Sequence, residues 1–253
     1  MNGIILVDKP KGFTSFDAVN FIKKRFSLAK VGHAGTLDPL ATGLLVILIG
    51  KATKLAETFL CDSKIYSTVM TLGIKTDTFD VTGKITAKSE EIPSVEKIIE
   101  TLKNFEGDIE QVPPVFSAIQ YKGQRLYKLA RKGTAVVPEK RKVFIYYIKK
   151  IKFLPASASD DYSPENLRIL KYDPDTVEMV RRLPQVSFEV KCSKGTYIRS
   201  LCEDAGEALN CPAVLKELRR TSSGEFELKD AVTIEKLKNM TNEDLAEILI
   251  SGY

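Results

Sequence analysis

One stretch of the sequence concentrates side chains that could do chemistry: residues 30–43, with the letters KVGHAGTLDPLATG. It predicts a single loop that holds three glycines, the only histidine of the chain and one acid, Asp38. The glycines allow backbone conformations closed to other residues, and Pro39 fixes the φ angle immediately after the acid. The carboxylate can therefore be held in a defined position, as a reacting acid must be. The alternative is a rigid turn in which Asp38 bonds to the backbone, which is common for Asp-Pro.

The elements beside this loop predict that both of its ends are held by the core. A helical pattern ends near Phe26, and the six apolar residues 44–49 are typical of a fully buried strand. Residues 4–7 predict a shorter strand, and the turn after it carries Lys9 and Lys11. The two lysines could contact phosphate groups or be solvated, and their place in a turn does not decide between these roles.

Three more segments predict strands: residues 64–72, 142–154 and 185–192. The first alternates β-branched and aromatic residues and carries Tyr66. Tyr66 could be an ordinary core residue or could stack on a substrate. Together with the helical patterns, these strands indicate an α+β fold.

A helix is predicted at residues 196–209, with its apolar side chains on one face and Arg199 in its first turn. The N-terminus of a helix disfavours a cation, so an anion is expected beside Arg199. A polar turn at residues 76–83 contains two acids, and we expect its Asp and Thr side chains to bond to the backbone. Another helix is predicted to begin at Ser94.

Two segments stand apart from these elements. Residues 111–142 are rich in Lys and Arg interleaved with Tyr121 and Tyr127, and a short basic helix is predicted at 124–132. Such a surface suits unstacked bases and a nucleic-acid backbone, although a solvated helix face has the same composition. Residues 155–184 begin with a polar and acidic run, and they predict an exposed insertion of unknown use.

The composition is that of a soluble protein with one or two domains: 253 residues, 43% hydrophobic and 28% charged. The net charge of +5 permits a polyanionic partner without requiring one. The four cysteines form no CxxC pair, and with one histidine a conventional zinc site is not expected. They are predicted to be reduced, buried thiols. No apolar run reaches the length of a signal peptide core or a membrane span, so a cytoplasmic protein is expected.

Six motifs in a common order give the sequence a resemblance to a known family. The stretch GHAGTLDPLATG resembles the signature of the pseudouridine synthases similar to bacterial TruB, which isomerise a uridine in the T loop of tRNA. The other motifs are Lys9-Pro10-Lys11-Gly12 with Thr14-Ser15, Lys64-Ile65-Tyr66, Leu72-Gly73 with Thr76-Asp77-Thr78, Pro113-Pro114 to Arg131, and Lys194-Gly195-Thr196-Tyr197-Ile198-Arg199. They span residues 4 to about 224, and their order is far more specific than any one of them.

The resemblance implies the pseudouridine synthase fold, a mixed and largely antiparallel sheet flanked by helices, over residues 1–230. It implies that uridine 55 of tRNA is flipped out and isomerised to pseudouridine, with no cofactor and no metal. Asp38 would attack C1′ of the ribose or remove the C2′ proton, and the sequence does not choose between these routes. By the same resemblance, Arg199 would hold Asp38 ionised, and Tyr66 would stack on the target base.

The resemblance also suggests how the RNA is held. His33 would take the place of the flipped nucleotides, and Tyr197 and Leu218 would line the uridine pocket. Residues 111–142 resemble an RNA-gripping insertion called the thumb, with Phe116 where relatives usually have Tyr. Contacts to the RNA backbone are expected from Lys9, Lys11, Lys122, Arg125, Arg131, Lys132, Lys194, Arg219 and Arg220. The expected partner is the T arm of tRNA, with no membrane involved, and the protein is expected to act as a monomer.

Two other functions are open at this point. An RNA-binding chaperone that folds tRNA would need the basic surface and His33, but it would not need Asp38. A related synthase that modifies another RNA would carry the same motifs. The chain also departs from many relatives at its C-terminal end, where residues 231–253 predict a short helical tail instead of a small β-barrel of the PUA type.

Overall fold

A computed structural model describes residues 1–60, 63–117, 119–133, 136, 138–154, 156 and 169–251. The protein has the α+β fold that the sequence predicts. The strands are β1 (Gly3–Lys9), β2 (Val31–Ala34), β3 (Thr42–Ile49), β4 (Lys64–Leu72), β5 (Ile74–Thr76), β6 (Ile85–Lys88), β7 (Gly107–Gln111), β8 (Gln120–Tyr121), β9 (Gln124–Arg125), β10 (Arg141–Leu154), β11 (Gln185–Cys192), β12 (Ala213–Ser223), β13 (Phe226–Glu227) and β14 (Val232–Thr233). The helices are α1 (Ser15–Arg25), α2 (Ala56–Leu60), α3 (Val95–Lys103), α4 (Leu126–Arg131), α5 (Pro174–Val180), α6 (Ile198–Ala208), α7 (Ile234–Asn239) and α8 (Asn242–Ile248). Along the described part of the chain, none of these helices has the length and apolar character needed to cross a membrane.

The chain forms two compact units. The first unit contains residues 1–67 and 217–253, and the second unit contains residues 68–216. The predicted boundary at residue 230 falls inside the first unit, because β14 pairs with β1.

Strand β3 lies at the centre of the first unit. Strands β1 and β2 pair with it in antiparallel directions, and β12 pairs with it in parallel. The prediction of a fully buried strand is confirmed, because every residue from 44 to 49 has an exposed fraction of 0%. The prediction that residues 30–43 form one loop is wrong in part. Residues 31–34 form β2, in which His33 lies opposite Ile47.

The C-terminal segment is part of the first unit. β14 runs parallel to β1, and the backbone N–H of Ile4 donates to the carbonyl of Ile250 at 3.0 Å. The helical prediction for this segment is confirmed as two short helices, α7 and α8, which are capped by Thr233 and Thr241. These contacts hold residues 232–250 against the first strand instead of leaving them as a tail.

In the second unit, β10 pairs in antiparallel directions with β11 and with β7. β11 has the predicted bounds, and β10 begins one residue before the predicted start. Helix α3 is capped by Ser94, as predicted, and it buries Ile98 and Leu102. The basic helix predicted at residues 124–132 is shorter, because Arg125 lies in the β8–β9 hairpin and α4 begins after it.

The predicted exposed insertion at residues 155–184 is corrected in its C-terminal part; Pro155 and residues 157–168 lie outside the described residues. Asp173 caps α5, and its side chain accepts from the Thr176 backbone N–H at 3.1 Å. Val177 and Val180 are buried, and the Thr176 hydroxyl donates to the carbonyl of Gly83 at 2.9 Å. This part of the segment is therefore packed structure.

Candidate functional site

The loop that carries Asp38 is held on both sides of the acid by the segment between β1 and α1. The Ser15 hydroxyl accepts from the backbone N–H of Leu37 at 2.8 Å and donates to the carbonyl of the same residue at 3.2 Å. The Gly12 N–H donates to the carbonyl of Pro39 at 2.8 Å. Asp38 itself is half-buried. The backbone is therefore fixed at both neighbouring residues of this partly exposed acid.

Arg220 contacts the same loop from inside the first unit. It was predicted to contact phosphate, and the structure corrects this because the side chain is buried. Arg220 is 1% exposed, and its guanidinium donates from Nε to the carbonyl of Leu44 at 2.7 Å and from Nη2 to that of Gly35 at 3.0 Å. Gly43 has a φ of +97°, and a Cβ there would lie 2.3 Å from the Arg220 carbonyl oxygen. Two glycines of the loop thus serve this close approach.

Lys9 is likewise corrected, because its side chain is 0% exposed. Its ammonium donates to the carbonyl of Phe13 at 2.6 Å and to that of Pro10 at 3.0 Å. Burial lowers the pKa of Lys9 to about 7, although the negative charge of Asp38 acts to raise it. Lys9 therefore stabilises the turn beside the acid from inside the first unit.

His33 lies on β2 and is half-buried. Burial lowers the pKa of its imidazole, and the positive charge of Arg220 lowers it further. Among the described residues, Nδ1 of His33 is buried and has no hydrogen-bond partner. The ring is thus a neutral, half-exposed group whose Nδ1 is closed to solvent.

Two predicted pocket residues of the first unit, Tyr66 on β4 and Leu218 on β12, are 9% and 8% exposed. The Thr221 hydroxyl of β12 donates to the carbonyl of Ile65 on β4 at 3.3 Å. Both side chains are therefore in positions that packing holds still, as confinement of a base would require.

In the second unit, Arg199 is the second residue of α6 and is 4% exposed. Its Nη1 donates to the carbonyl of Thr78 at 3.1 Å, and its Nη2 donates to the carbonyl of Phe116 at 2.9 Å. Phe116, the departure from the usual Tyr, contributes through its backbone here. The planar guanidinium is thereby fixed in one orientation.

The anion that the sequence leads us to expect beside Arg199 is present within the second unit. Oδ2 of Asp80 lies 3.8 Å from Nη1 of Arg199. Its Oδ1 accepts from the Thr78 hydroxyl and the Thr82 N–H, both at 2.9 Å. The prediction that acids of this turn bond to the backbone is confirmed. It did not include the second role of Asp80, which is the ion pair with Arg199. The two acids of the polar turn were the only signal for it.

The remaining predicted cations differ in exposure. Lys122, Arg125, Lys132 and Lys194 are exposed, Lys11 is half-buried, and the side chain of Arg131 lies outside the described residues. Arg219 keeps 42% of its side chain exposed while its Nη2 forms an ion pair with Asp8 at 2.6 Å. Three of these four exposed cations, Lys122, Arg125 and Lys132, thus lie on the thumb.

The prediction that the cysteines are buried is confirmed for the three that the structure describes. Cys202 and Cys211 are free and buried, Cys192 is buried, and Cys61 lies outside the described residues. Burial raises the pKa of the Cys202 thiol, and the negative charge of Asp204 raises it further. Burial also raises the pKa of the Cys211 thiol, and a raised pKa disfavours the reactive thiolate at Cys202 and Cys211.

Comparison with known proteins gives matches along the whole chain. The N-terminal domain model of the TruB family pseudouridylate synthases matches residues 23–198, and the model of the tRNA pseudouridylate synthase B C-terminal domain matches residues 199–251. The chain is 41% identical over 252 residues to tRNA pseudouridine synthase B of Clostridium tetani (strain Massachusetts / E88), covering 99% of this chain and 76% of that one. It is 40% identical to the protein of the same name from Chlamydia muridarum (strain MoPn / Nigg), covering 92% and 85%.

Among solved structures, the chain is similar to one in a Cbf5-Nop10-Gar1 complex, with 31% identity and a TM-score of 0.64. It is also similar to one in an H/ACA RNP bound to a substrate RNA containing 2′-deoxyuridine, with 29% identity and a TM-score of 0.61. Both matches cover 94% of this chain, and it spans 54% and 52% of theirs.

Proposed function

We propose, because this chain belongs to the TruB family of pseudouridylate synthases, that it isomerises uridine 55 in the T loop of tRNA. The chain is a tRNA pseudouridine synthase and hence an isomerase. The position of the uridine and the roles of single residues are our proposal. We further propose that it acts as a monomer in the cytoplasm.

The observation that carries this proposal is the fixation of the Asp38 loop. The reaction breaks the N1–C1′ bond, turns the uracil and joins C5 to C1′, while the C5 proton is lost and N1 gains a proton. It needs an ionised carboxylate beside the ribose, either to attack C1′ or to remove the C2′ proton. The hydrogen bonds at Leu37 and Pro39 fix the backbone on both sides of Asp38. They support a role in which this carboxylate meets the ribose.

We assign the supporting roles as follows. Tyr66 stacks on the target base, Tyr197 and Leu218 confine it, and Arg199 is the cation that keeps Asp38 ionised. His33 takes the place of the flipped nucleotides. The neutral ring is half-exposed, which supports this role because part of it remains accessible to RNA.

We assign the contacts to the RNA backbone to the cations that are not buried. They are Lys11, Lys122, Arg125, Lys132, Lys194 and Arg219, with Arg131 carried over from the resemblance. Lys9 and Arg220 are left out because their charged groups already contact carbonyl oxygens inside the first unit. The exposed lysines and arginines of the thumb remain accessible to phosphate groups.

The test is incubation of Asp38→Asn with an unmodified tRNA transcript, followed by chemical mapping of pseudouridine. The amide has the volume of the carboxylate but is neither a nucleophile nor a base, so we expect turnover to be abolished and tRNA affinity to stay within about threefold. Asp230→Asn, at an exposed position of the first unit, is the matched control. Turnover retained by Asp38→Asn would remove this residue from catalysis, and wild-type product at another uridine would refute the assignment of position 55.

A further inference from the structure

Gln111, the last residue of β7, makes an unusual pair of contacts for a side chain. It is 1% exposed. Its Oε1 accepts from the backbone N–H of Tyr197 at 3.0 Å, and its Nε2 donates to the carbonyl of the same residue at 3.3 Å. Both ends of the amide are thus hydrogen-bonded to the backbone N–H and carbonyl of one residue, as paired residues of two antiparallel strands are.

The residue that Gln111 contacts is the one that begins α6. Tyr197 is the N-cap of this helix and makes no side-chain capping bond. Arg199 follows two residues later. Because the first N–H groups of a helix have no partner within it, the entry of the chain into α6 depends on contacts from elsewhere.

Two more contacts tie the residues after Gln111 to the same turn of α6. The Ser200 hydroxyl donates to the carbonyl of Val112 at 2.7 Å. The guanidinium of Arg199 donates to the carbonyl of Phe116 at 2.9 Å. Residues 111–116 therefore contact the start of α6 at three of its residues, Tyr197, Arg199 and Ser200.

Gln111 also lies at the base of the thumb. It is the partner of Arg141 in the β7–β10 ladder, so the segment between these two residues leaves the sheet and returns to it at this pair. One buried amide therefore joins the position where the thumb begins to the position where the helix of Arg199 begins.

We propose that Gln111 is a positioning residue, which holds the start of α6 in register with the base of the thumb, so that RNA bound by the thumb stabilises the placement of Arg199. The inference rests on the proposed function for the roles of Arg199 and the thumb. It goes beyond that function by coupling RNA grip to the catalytic step through a residue that touches neither RNA nor the reacting atoms.

The first experiment separates catalysis from binding in Gln111→Met, which keeps the length of the side chain and loses both hydrogen bonds. We expect the single-turnover rate at saturating tRNA to fall about tenfold or more, with the tRNA dissociation constant within about threefold, because small displacements of a catalytic group are costly. Gln185→Met is the matched control, since Gln185 is a 3% exposed amide of the same unit that accepts from Lys216 at 2.8 Å. A wild-type rate in folded Gln111→Met, or an equal loss in folded Gln185→Met, would overturn the proposal.

A second variant tests for a dependence on pH, which a residue that only fills space would not cause. In Gln111→Glu the carboxylate accepts from the Tyr197 N–H but repels its carbonyl, whereas the protonated acid donates as Gln does. We expect the single-turnover rate of Gln111→Glu to approach that of the wild type as the pH falls, since burial raises the pKa of a carboxyl. A constant ratio of the two rates across the pH range would contradict the proposal.

Hydrogen exchange tests the coupling without relying on turnover. The amides of residues 197–201 should exchange faster in Gln111→Met than in the wild type, and unmodified tRNA should protect them in the wild type but not in the variant. Equal protection in both proteins would overturn the coupling. If the wild type forms no pseudouridine, the proposed function fails, while the exchange rates of the free proteins still decide whether Gln111 holds the start of α6.

Discussion

At the scale of single residues, the first unit contains a lysine whose environment opposes its charge. Lys9 is 0% exposed, and its ammonium donates to two backbone carbonyls. Burial lowers its pKa from 10.5 to about 7. Between these two pH values the unfolded chain holds a proton on this residue that the folded chain has largely lost. Stability must then rise with pH across this window, because the unfolded state binds more protons.

We therefore predict that the free energy of unfolding of the wild type, relative to Lys9→Met, rises by up to about 1.4 kcal/mol per pH unit between pH 7.5 and 9.5. Lys9→Met lacks the titrating group and should show no such rise. Chemical denaturation at several pH values measures it, with the exposed Lys51→Met as control. Parallel pH profiles of the wild type and Lys9→Met would mean that Lys9 keeps its proton in the folded protein.

His33 leads to a second prediction. Its proposed task is to stabilise the arrangement in which the target uridine is flipped out. His33→Ala should therefore lower kcat/KM more on a folded T-arm hairpin than on a single strand whose uridine is already unstacked. Because burial lowers the pKa of His33, its ring is neutral in weakly alkaline solution, and the difference between the two substrates should not change from about pH 7.5 to 8.5. Equal losses on both RNAs would reject the task.

Single residues also show what the sequence can and cannot predict. The Asp38 loop could be identified because its glycines, proline and acid are adjacent along the chain. The burial of Lys9 could not, since a lysine in a turn has the same letters whether solvated or enclosed. Asp80 and Gln111 were missed for another reason: their partners Arg199 and Tyr197 lie more than 80 residues away, and a contact of this kind leaves no local pattern.

At the scale of elements, the outcome follows the strength of the local pattern. β3 and β11 were predicted because continuous or alternating apolar residues mark them clearly. β2 was missed because the strand has only four residues and one of them is a glycine. α5 was missed because the acidic run before it suggested exposure for the whole segment. Its buried residues Val177 and Val180 are too few to produce a visible period.

Helix α5 provides the next prediction. The Asp173 side chain satisfies an N–H of its first turn, so Asp173→Ala should lower the free energy of unfolding by about 1 kcal/mol. Thr176→Val should cost about 1–3 kcal/mol because it leaves the carbonyl of Gly83 without this donor. Denaturation measures both, and Glu178→Ala, at an exposed position of α5, is the control. Unchanged stability of Asp173→Ala and Thr176→Val would show that α5 is not docked as described.

At the scale of the whole molecule, the net charge of +5 says less about RNA binding than the placement of its cations. Lys9 and Arg220 belong to the interior of the first unit, whereas Lys122, Arg125 and Lys132 of the thumb are exposed. Composition alone counts these cations equally. Only the exposed ones can release counterions when a phosphate approaches, so the salt dependence of binding should report them separately.

We predict that the tRNA association constant of the wild type falls with added salt, and that Arg125→Ala and Lys132→Ala each make the slope of log K against log salt shallower by up to about 1. Lys88→Ala removes an exposed cation of β6 in the same unit, and it should leave the slope within error of the wild type. This control changes the net charge equally, so a difference between the variants depends on position and not on total charge. If all three substitutions reduce the slope by the same amount, the thumb does not grip the RNA backbone and the protein attracts tRNA only through its overall field.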